Sequence, residues 1–533
     1  MRNVLIDGGP VTMIWGFLIV YFFSLLCALS LAEISSKYPL ELHAGAAIIA
    51  KDSYGLICSW FTGWFLLIGN WTMSISITFA GAQFILSVVG VYVDQYQATE
   101  YVTVIVFYII VTVCGLFNIY GSKHLESLNK ICVAWILFAI AIIGVMILAR
   151  APTYNSWSYV FTEFDNSRSN MPAALTFIIG LQQANFMMQG FGLLPAISEE
   201  VKDPERVVPR GIVWGVILSG LSGIAFIIPI LLVLPDLSSL IDQNDTMMPI
   251  VSIFTIVTNS KIASAFLFLL VLGNLLFSGI GSIATSSRAV FSMSRDGALP
   301  YQDFWTYVDQ NSVSKVPKNA VLLSMAISYI LGLLSLVSTA AFNAFVGAAV
   351  ISLCAASLIP ITSSVLGFRK RVRGAVFKLR GIGIIINLLS IVWLVFTIFV
   401  LSCTPSLPLT LRSTNYALFV FIFATFIISI LWFAWGRTNF HGPLIDSDAN
   451  ERVNVIEMRN MGTASTTGGD YQPVLTDDQL KSGSELSHKQ ANSSNMSASS
   501  SSHLDVNSGI DGISVGDSSV NIIKETKRDG LDE

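Results

Sequence analysis

Between Pro172 and Arg210 the chain reads PAALTFIIGLQQANFMMQGFGLLPAISEEVKDPERVVPR, an apolar stretch interrupted by groups that could bind a solute. Gln182, Gln183, Asn185 and Gln189 bring carboxamides, and Gly190, Phe191, Gly192 and Pro195 follow directly. A carboxamide donates and accepts hydrogen bonds without carrying charge. Gly favours leaving the helix, and Pro removes a donor and clashes one turn back, so a break is predicted between Asn185 and Pro195. Inside a bilayer, freed backbone groups are tolerated only where protein or a wet cavity satisfies them. Half-helix ends at such a break offer partial charges to a solute near the midplane. The expectation is therefore a binding site at Asn185, Gln189, Gly190, Phe191 and Gly192, with positive φ values at the glycines. The alternative is a proline kink whose amides glue helices together.

Two further embedded amides join the expected site. Asn274 shares its helix with Gly273, Ser278, Gly279 and Gly281, which permit close approach, and Asn70 stands beside Trp71. Phe186, Met187, Met188 and Phe191 would suit a methylene chain, although gap-filling packing explains each methionine singly. Intramembrane charge, which would name a coupling group, is nearly absent. Glu33 closes the first span, while Glu199 and Glu200 close the broken helix, and each reads as a gate or a fold residue.

Enzyme chemistry finds no constellation. His43 and His124 fall in different loops, and His441, His488 and His503 lie beyond the last span. The six cysteines sit in or at the ends of apolar runs, with no disulfide or metal spacing. No cofactor, metal or nucleic acid is expected.

The elements that must position these groups are membrane spans. Of 533 residues 53% are hydrophobic and 12% charged, with a mean hydropathy of +0.68; a soluble domain carries about 25% charged residues. Runs long enough to cross a bilayer fall near 11–32, 57–89, 102–121, 131–149, 172–197, 211–234, 262–287, 319–337, 342–366, 383–402 and 416–436, eleven in all. The second is over-long and predicts a tilt, and 249–258 is too short to span.

Alternate loops differ in charge. One set holds Lys37, Lys51, Lys123, Lys130, Lys202, Arg206, Arg210, Arg288, Arg295, Lys315, Lys318, Arg369, Lys370, Arg371, Arg373, Lys378 and Arg380; the other holds Arg2, Arg150, Arg168, Lys261 and Arg412. Seventeen against five puts the first set in the cytoplasm. That places the sequon at Asn244 outside, as a glycosylation candidate. Residues 1–10 read as an external lead and 11–436 as a transmembrane transporter domain. Residues 437–533, rich in Ser and Gly, read as a disordered cytoplasmic tail, open to a kinase or a ubiquitin ligase. An odd span count with an internal C-terminus forces the N-terminus outside, yet nothing in residues 1–10 would translocate it. A missing first span is the simplest expectation.

Several motifs carry a resemblance. Gly8-Gly9-Pro10, Leu31 to Ser36 before Tyr38-Pro39, Glu199-Glu200 and Val208-Pro209-Arg210 resemble the amino-acid–polyamine–organocation permeases. Ser286-Ser287-Arg288, Ser294-Arg295-Asp296-Gly297-Ala298-Leu299-Pro300 and Val316-Pro317-Lys318-Asn319-Ala320 are similar to its fungal amino-acid/choline branch. The resemblance implies an all-α polytopic membrane protein, an inverted five-plus-five-span repeat with two extra helices, the first span missing here. It also implies that Glu33, Glu199, Glu200, Pro209, Arg210, Arg288 and Asp296 serve gating or structure. Where the branch has Gly-Gly-x-Tyr after Tyr38-Pro39, this chain has Leu40 to Ala47, and Gly192 and Ala196 replace an Asp and a His of the broken helix. Within the branch, 33–47, 59–83 and 177–200 are most similar to permeases for 7-keto-8-aminopelargonate, a biotin precursor. The implied function is proton-coupled uptake of that zwitterion across the plasma membrane by alternating access. The alternatives are γ-aminobutyrate, choline or polyamine transport, or a nutrient sensor that binds without transporting.

Overall fold

Long runs of Leu, Ile, Val and Phe with few charges must satisfy their backbone groups within each segment, and a helix does so. The computed structural model describes residues 4–5, 7–50, 52–93, 96, 98–166, 171–235, 248–308, 316–337, 339–403 and 415–443. Among these residues every regular element is helical. Asn244 and the tail from 444 onward lie outside the described residues, as do the side chains of Glu199, Glu200 and Asn343.

The first span, α1, runs from Gly9 to Lys37 and contains a π turn at Thr12–Gly16. It is entered through Gly8 at φ +99, where a Cβ would stand 2.1 Å from Thr12 Oγ1; only glycine fits there. Then come α2 (Leu42–Ile49), α3 (Asp52–Tyr92), α4 (Glu100–Tyr120) and α5 (Leu125–Arg150). The broken segment is α6 (Ala173–Met188) continued by a 3₁₀ helix, Gln189–Glu200. It is followed by α7 (Pro204–Leu232), α8 (Pro249–Thr258), α9 (Lys261–Arg295), α10 (Lys318–Val337), α11 (Thr339–Leu366), α12 (Gly383–Ser402) and α13 (Ala417–Leu431).

Ten helices among the described residues are long and apolar enough to cross a membrane. The interrupted α6 segment is the eleventh crossing of the sequence reading. The over-long run at 57–89 is part of one unbroken helix of 41 residues, and α8 has 10 residues, too few to span.

Helix α3 is the common neighbour, packing against α2, α4, α9 and α11, while α1 packs between α7 and α12. Trp60 of α3 is fully buried against Trp64, Trp432 and Phe440, and its indole donates to the Ile428 carbonyl at 3.2 Å. The close approach of α3 to α11 depends on Gly69, where a Cβ would stand 2.6 Å from Leu353 Cδ2. Phe419, Phe423, Phe426 and Phe433, around α13, point outward, as lipid-facing side chains do.

Candidate functional site

At Gln189 the α-helix tightens instead of stopping. The 3₁₀ form continues through Pro195 to Glu200, 12 residues, whereas 3₁₀ runs longer than about four residues are uncommon. The expectation of positive φ at Gly190 and Gly192 is not met; neither lies in the left-handed region. A 3₁₀ helix keeps right-handed dihedrals, so the segment stays wound through both glycines. An added Cβ at Gly190 would meet nothing within 4 Å, and at Gly192 it would meet Ser357 Oγ of α11 at 3.4 Å. Gly190 lines an apolar cavity of about 190 Å³ with Met187, Met188, Phe191, Leu194 and Gly215.

The amides divide into two groups. Gln182 Nε2 donates to the carbonyls of Val400 at 2.7 Å and Cys403 at 3.1 Å. Asn185 Nδ2 donates to the Leu181 carbonyl at 3.1 Å, and its Oδ1 accepts from Thr397 Oγ1 at 3.3 Å. Both therefore fasten α6 to α12. Gln189 Oε1, Asn274 Oδ1 and Asn70 Nδ2 are buried without a hydrogen-bond partner among the described residues, a condition that native proteins rarely leave unexplained. Asn70 and Asn274 do not meet. The Asn70 carbonyl accepts from Ser286 Oγ at 3.1 Å, and Ser286 stands twelve residues along α9 from Asn274, about 18 Å at the helical rise.

On its other side the 3₁₀ segment borders a cavity of about 900 Å³. Leu193 and Val201 form one wall, and α9 forms the opposite wall with Ser278, Gly281, Ser282 and Thr285. Ser282 Oγ donates to Ser74 Oγ of α3 at 3.1 Å. Asn118, also lining the cavity, ties α4 to α9 by donating to the Ile280 carbonyl at 3.0 Å. Lys123 in the turn before α5, Glu126 in the first turn of α5 and Arg288 of α9 also line the cavity, and Glu126 pairs with Lys130 at 2.7 Å. The inner wall is thus hydroxyl-rich and uncharged, and it can exchange hydrogen bonds with an amine or a carboxylate. The described residues hold no group of metal-ligand type.

Ser282, Thr285 and Asn118 were not among the expected site residues. A signal existed: Ser278, Ser282 and Thr285 follow i, i+4, i+7 and share one helix face.

The expected gating residues take separate places. Arg288 lines the cavity. Pro209 is buried inside α7 and Arg210 is exposed. Glu33 is buried, accepting from Arg369 Nη2 at 2.5 Å and from the Leu379 amide at 3.0 Å. Asp296 Oδ2 lies 2.8 Å from His43 Nε2, and Glu41 Oε2 lies 3.5 Å from His43 Nδ1. Burial alone would lower the His43 pKa, but hydrogen bonds to Asp296 and Glu41 outweigh it and raise it to about 9. Burial would raise that of Asp296, but His43 and Arg295 hold it below the usual carboxylate range.

Residues 1–442 match the amino acid permease family. The chain is 49% identical over 477 residues to the polyamine transporter TPO5 of Saccharomyces cerevisiae, covering 87% of this chain and 77% of that protein. It is 30% identical over 453 residues to the amino-acid permease BAT1 of Arabidopsis thaliana, covering 82% and 87%. It is 26% identical over 457 residues to a choline transporter of Saccharomyces cerevisiae, covering 84% and 79%. A helical bundle of membrane length, interrupted beside a hydroxyl-lined cavity, thus coincides with likeness to proteins that carry solutes and catalyse no reaction. The chain belongs to the amino acid permease family and is a multi-pass membrane transporter.

Proposed function

We propose that the cavity of about 900 Å³ between the 3₁₀ segment and α9 is the solute path of a carrier for small organic amines, at the plasma membrane. That cavity carries the reading, because it joins the interrupted helix to an uncharged hydroxyl wall. The hydroxyls of Ser278, Ser282 and Thr285 on that wall can accept from ammonium N–H donors; the unpartnered oxygens of Gln189 and Asn274 belong to residues outside the cavity lining. A polyamine is the first solute to test, given the name of the 49% identical relative. The 7-keto-8-aminopelargonate reading rests on the resemblance of 33–47, 59–83 and 177–200; that solute also carries an amine and competes in the same assay. Coupling to protons belongs to the same proposal.

Counterflow in proteoliposomes separates these readings. Labelled spermidine, choline, an amino acid and 7-keto-8-aminopelargonate would each be offered to vesicles preloaded with the unlabelled solute. A carrier accumulates label transiently with its own substrate, and spermidine is expected to give the largest overshoot. Binding without overshoot for every solute would make the protein a sensor.

A further inference from the structure

At the end of α11, away from the solute path, a cavity of about 320 Å³ is lined by Ser363, Ser364, Arg369, Lys370 and Arg371. Two buried polar atoms on its lining lack a partner among the described residues, Ser364 Oγ and Arg369 Nε. Both are donors. The carbonyls that would repel an anion at a helix C-terminus are already covered: those of Ser363, Ser364 and Val365 accept from the amides of Gly367, Arg369 and Phe368. Arg369 is held rigid, because Nη2 meets Glu33 and Nη1 donates to the Arg380 carbonyl at 2.9 Å. Lys370 at the rim is exposed, and Arg373, Lys378 and Arg380 add positive charge nearby.

The surroundings point to a membrane lipid. Leu366 and Phe368, on the lining, are 75% and 72% exposed. They follow an apolar helix of membrane length, so they stand where acyl chains meet headgroups. Cations at that level attract anionic lipid, and a pair of buried donors supplies the fixed contacts that a diffuse charge lacks.

We propose that this cavity binds the phosphorylated headgroup of an anionic glycerophospholipid, with Ser364 and Arg369 as inner donors and Lys370 at the rim. The test is melting of the detergent-purified full chain titrated with dioctanoyl phosphatidylinositol 4-phosphate, dioctanoyl phosphatidylcholine or inorganic phosphate. The phosphoinositide alone is expected to raise the melting temperature saturably. Ser364→Val, which removes the inner hydroxyl donor and puts a methyl group in its place, should abolish the rise. Lys370→Gln, an exposed change that leaves the fold intact, should raise the half-saturating concentration about fivefold, the factor equivalent to about 1 kcal/mol for one cation at an anionic surface. Lys130→Gln on α5 should leave it unchanged. An equal rise with inorganic phosphate or phosphatidylcholine overturns the proposal. So does unaltered titration of Lys370→Gln, or loss of binding in Lys130→Gln as large as that in Lys370→Gln.

Discussion

His43 and Asp296, 253 residues apart in sequence, are joined by a 2.8 Å hydrogen bond inside a fully buried cluster. Glu41 flanks the other face of the imidazole, and Arg295 Nε reaches Asp296 Oδ1 at 3.3 Å. The cluster ties α2 to the end of α9. It also ties the chain beyond α13, because the His441 amide donates to the Asp296 carbonyl and Trp435 Nε1 to that of Gly297, each at 3.1 Å. Gly297, at φ +84, lies so near Asn439 that a Cβ would stand 2.2 Å from its carbonyl oxygen.

This cluster should make stability depend on pH. The folded pKa of His43, raised to about 9, exceeds the unfolded value of about 6.5. Its contribution is therefore complete below about 6.5 and is lost as pH rises through about 9. Asp296, held low, contributes above about 3.9 and loses its contribution as pH falls below that. Melting temperature should be level from about pH 5 to 6.5, decline between about pH 6.5 and 9, and lose nothing further through His43 above that. His43→Gln should remove that decline and cost about 3–5 kcal/mol at pH 6, the usual result of stranding buried charge. An undiminished alkaline decline in His43→Gln would mean that other groups govern it.

Gly281 lines the large cavity, and an added Cβ there meets nothing within 4 Å, so a longer side chain would extend into the cavity space. Gly281→Leu should therefore fold as well as the parent or better, by up to about 1 kcal/mol of helix propensity. Counterflow should nonetheless fall at least tenfold. Full transport by this variant would move the solute path elsewhere.

The pairing of Glu33 with Arg369 depends on Gly383, where a Cβ would stand 2.1 Å from Arg369 Nη2. Gly383→Ala should displace the guanidinium and lower stability about as much as Glu33→Gln, by about 3 kcal/mol. The two changes should be strongly non-additive, since both remove one interaction. Independent effects in a double-mutant cycle would dissociate Gly383 from the pair.

Loop charge predicts sidedness. Tyr154 and Tyr301 are 62% and 81% exposed on loops assigned to opposite faces. In intact cells, an impermeant thiol reagent should label Tyr154→Cys at once and Tyr301→Cys only after permeabilisation. The reverse pattern would invert the topology.

Much of the architecture was legible because apolar runs of bilayer length leave the backbone one common solution. The break was legible in Gly190, Gly192 and Pro195, but its form was not. Propensity says where an α-helix weakens, whereas the choice between unwinding and a 3₁₀ continuation depends on neighbours such as Ser357, 165 positions beyond Gly192. Asn185 and Gln182 announced polarity at the right depth, but only packing reveals that they fasten α12. The His43 cluster was illegible for the same reason. No local pattern connects an imidazole in one loop with a carboxylate 253 residues away.

Helix α3 has 41 residues and contains no proline, so it measures about 61 Å along its axis. A hydrocarbon core of about 30 Å accommodates barely half of that even when the helix leans. The remainder reaches beyond the hydrocarbon core as part of one stiff rod that packs against α2, α9 and α4. A tilt of only 5° about its centre would move each tip by about 2.7 Å in opposite directions. Rearrangement on one side of the bilayer is thereby geared to the other through a single rod.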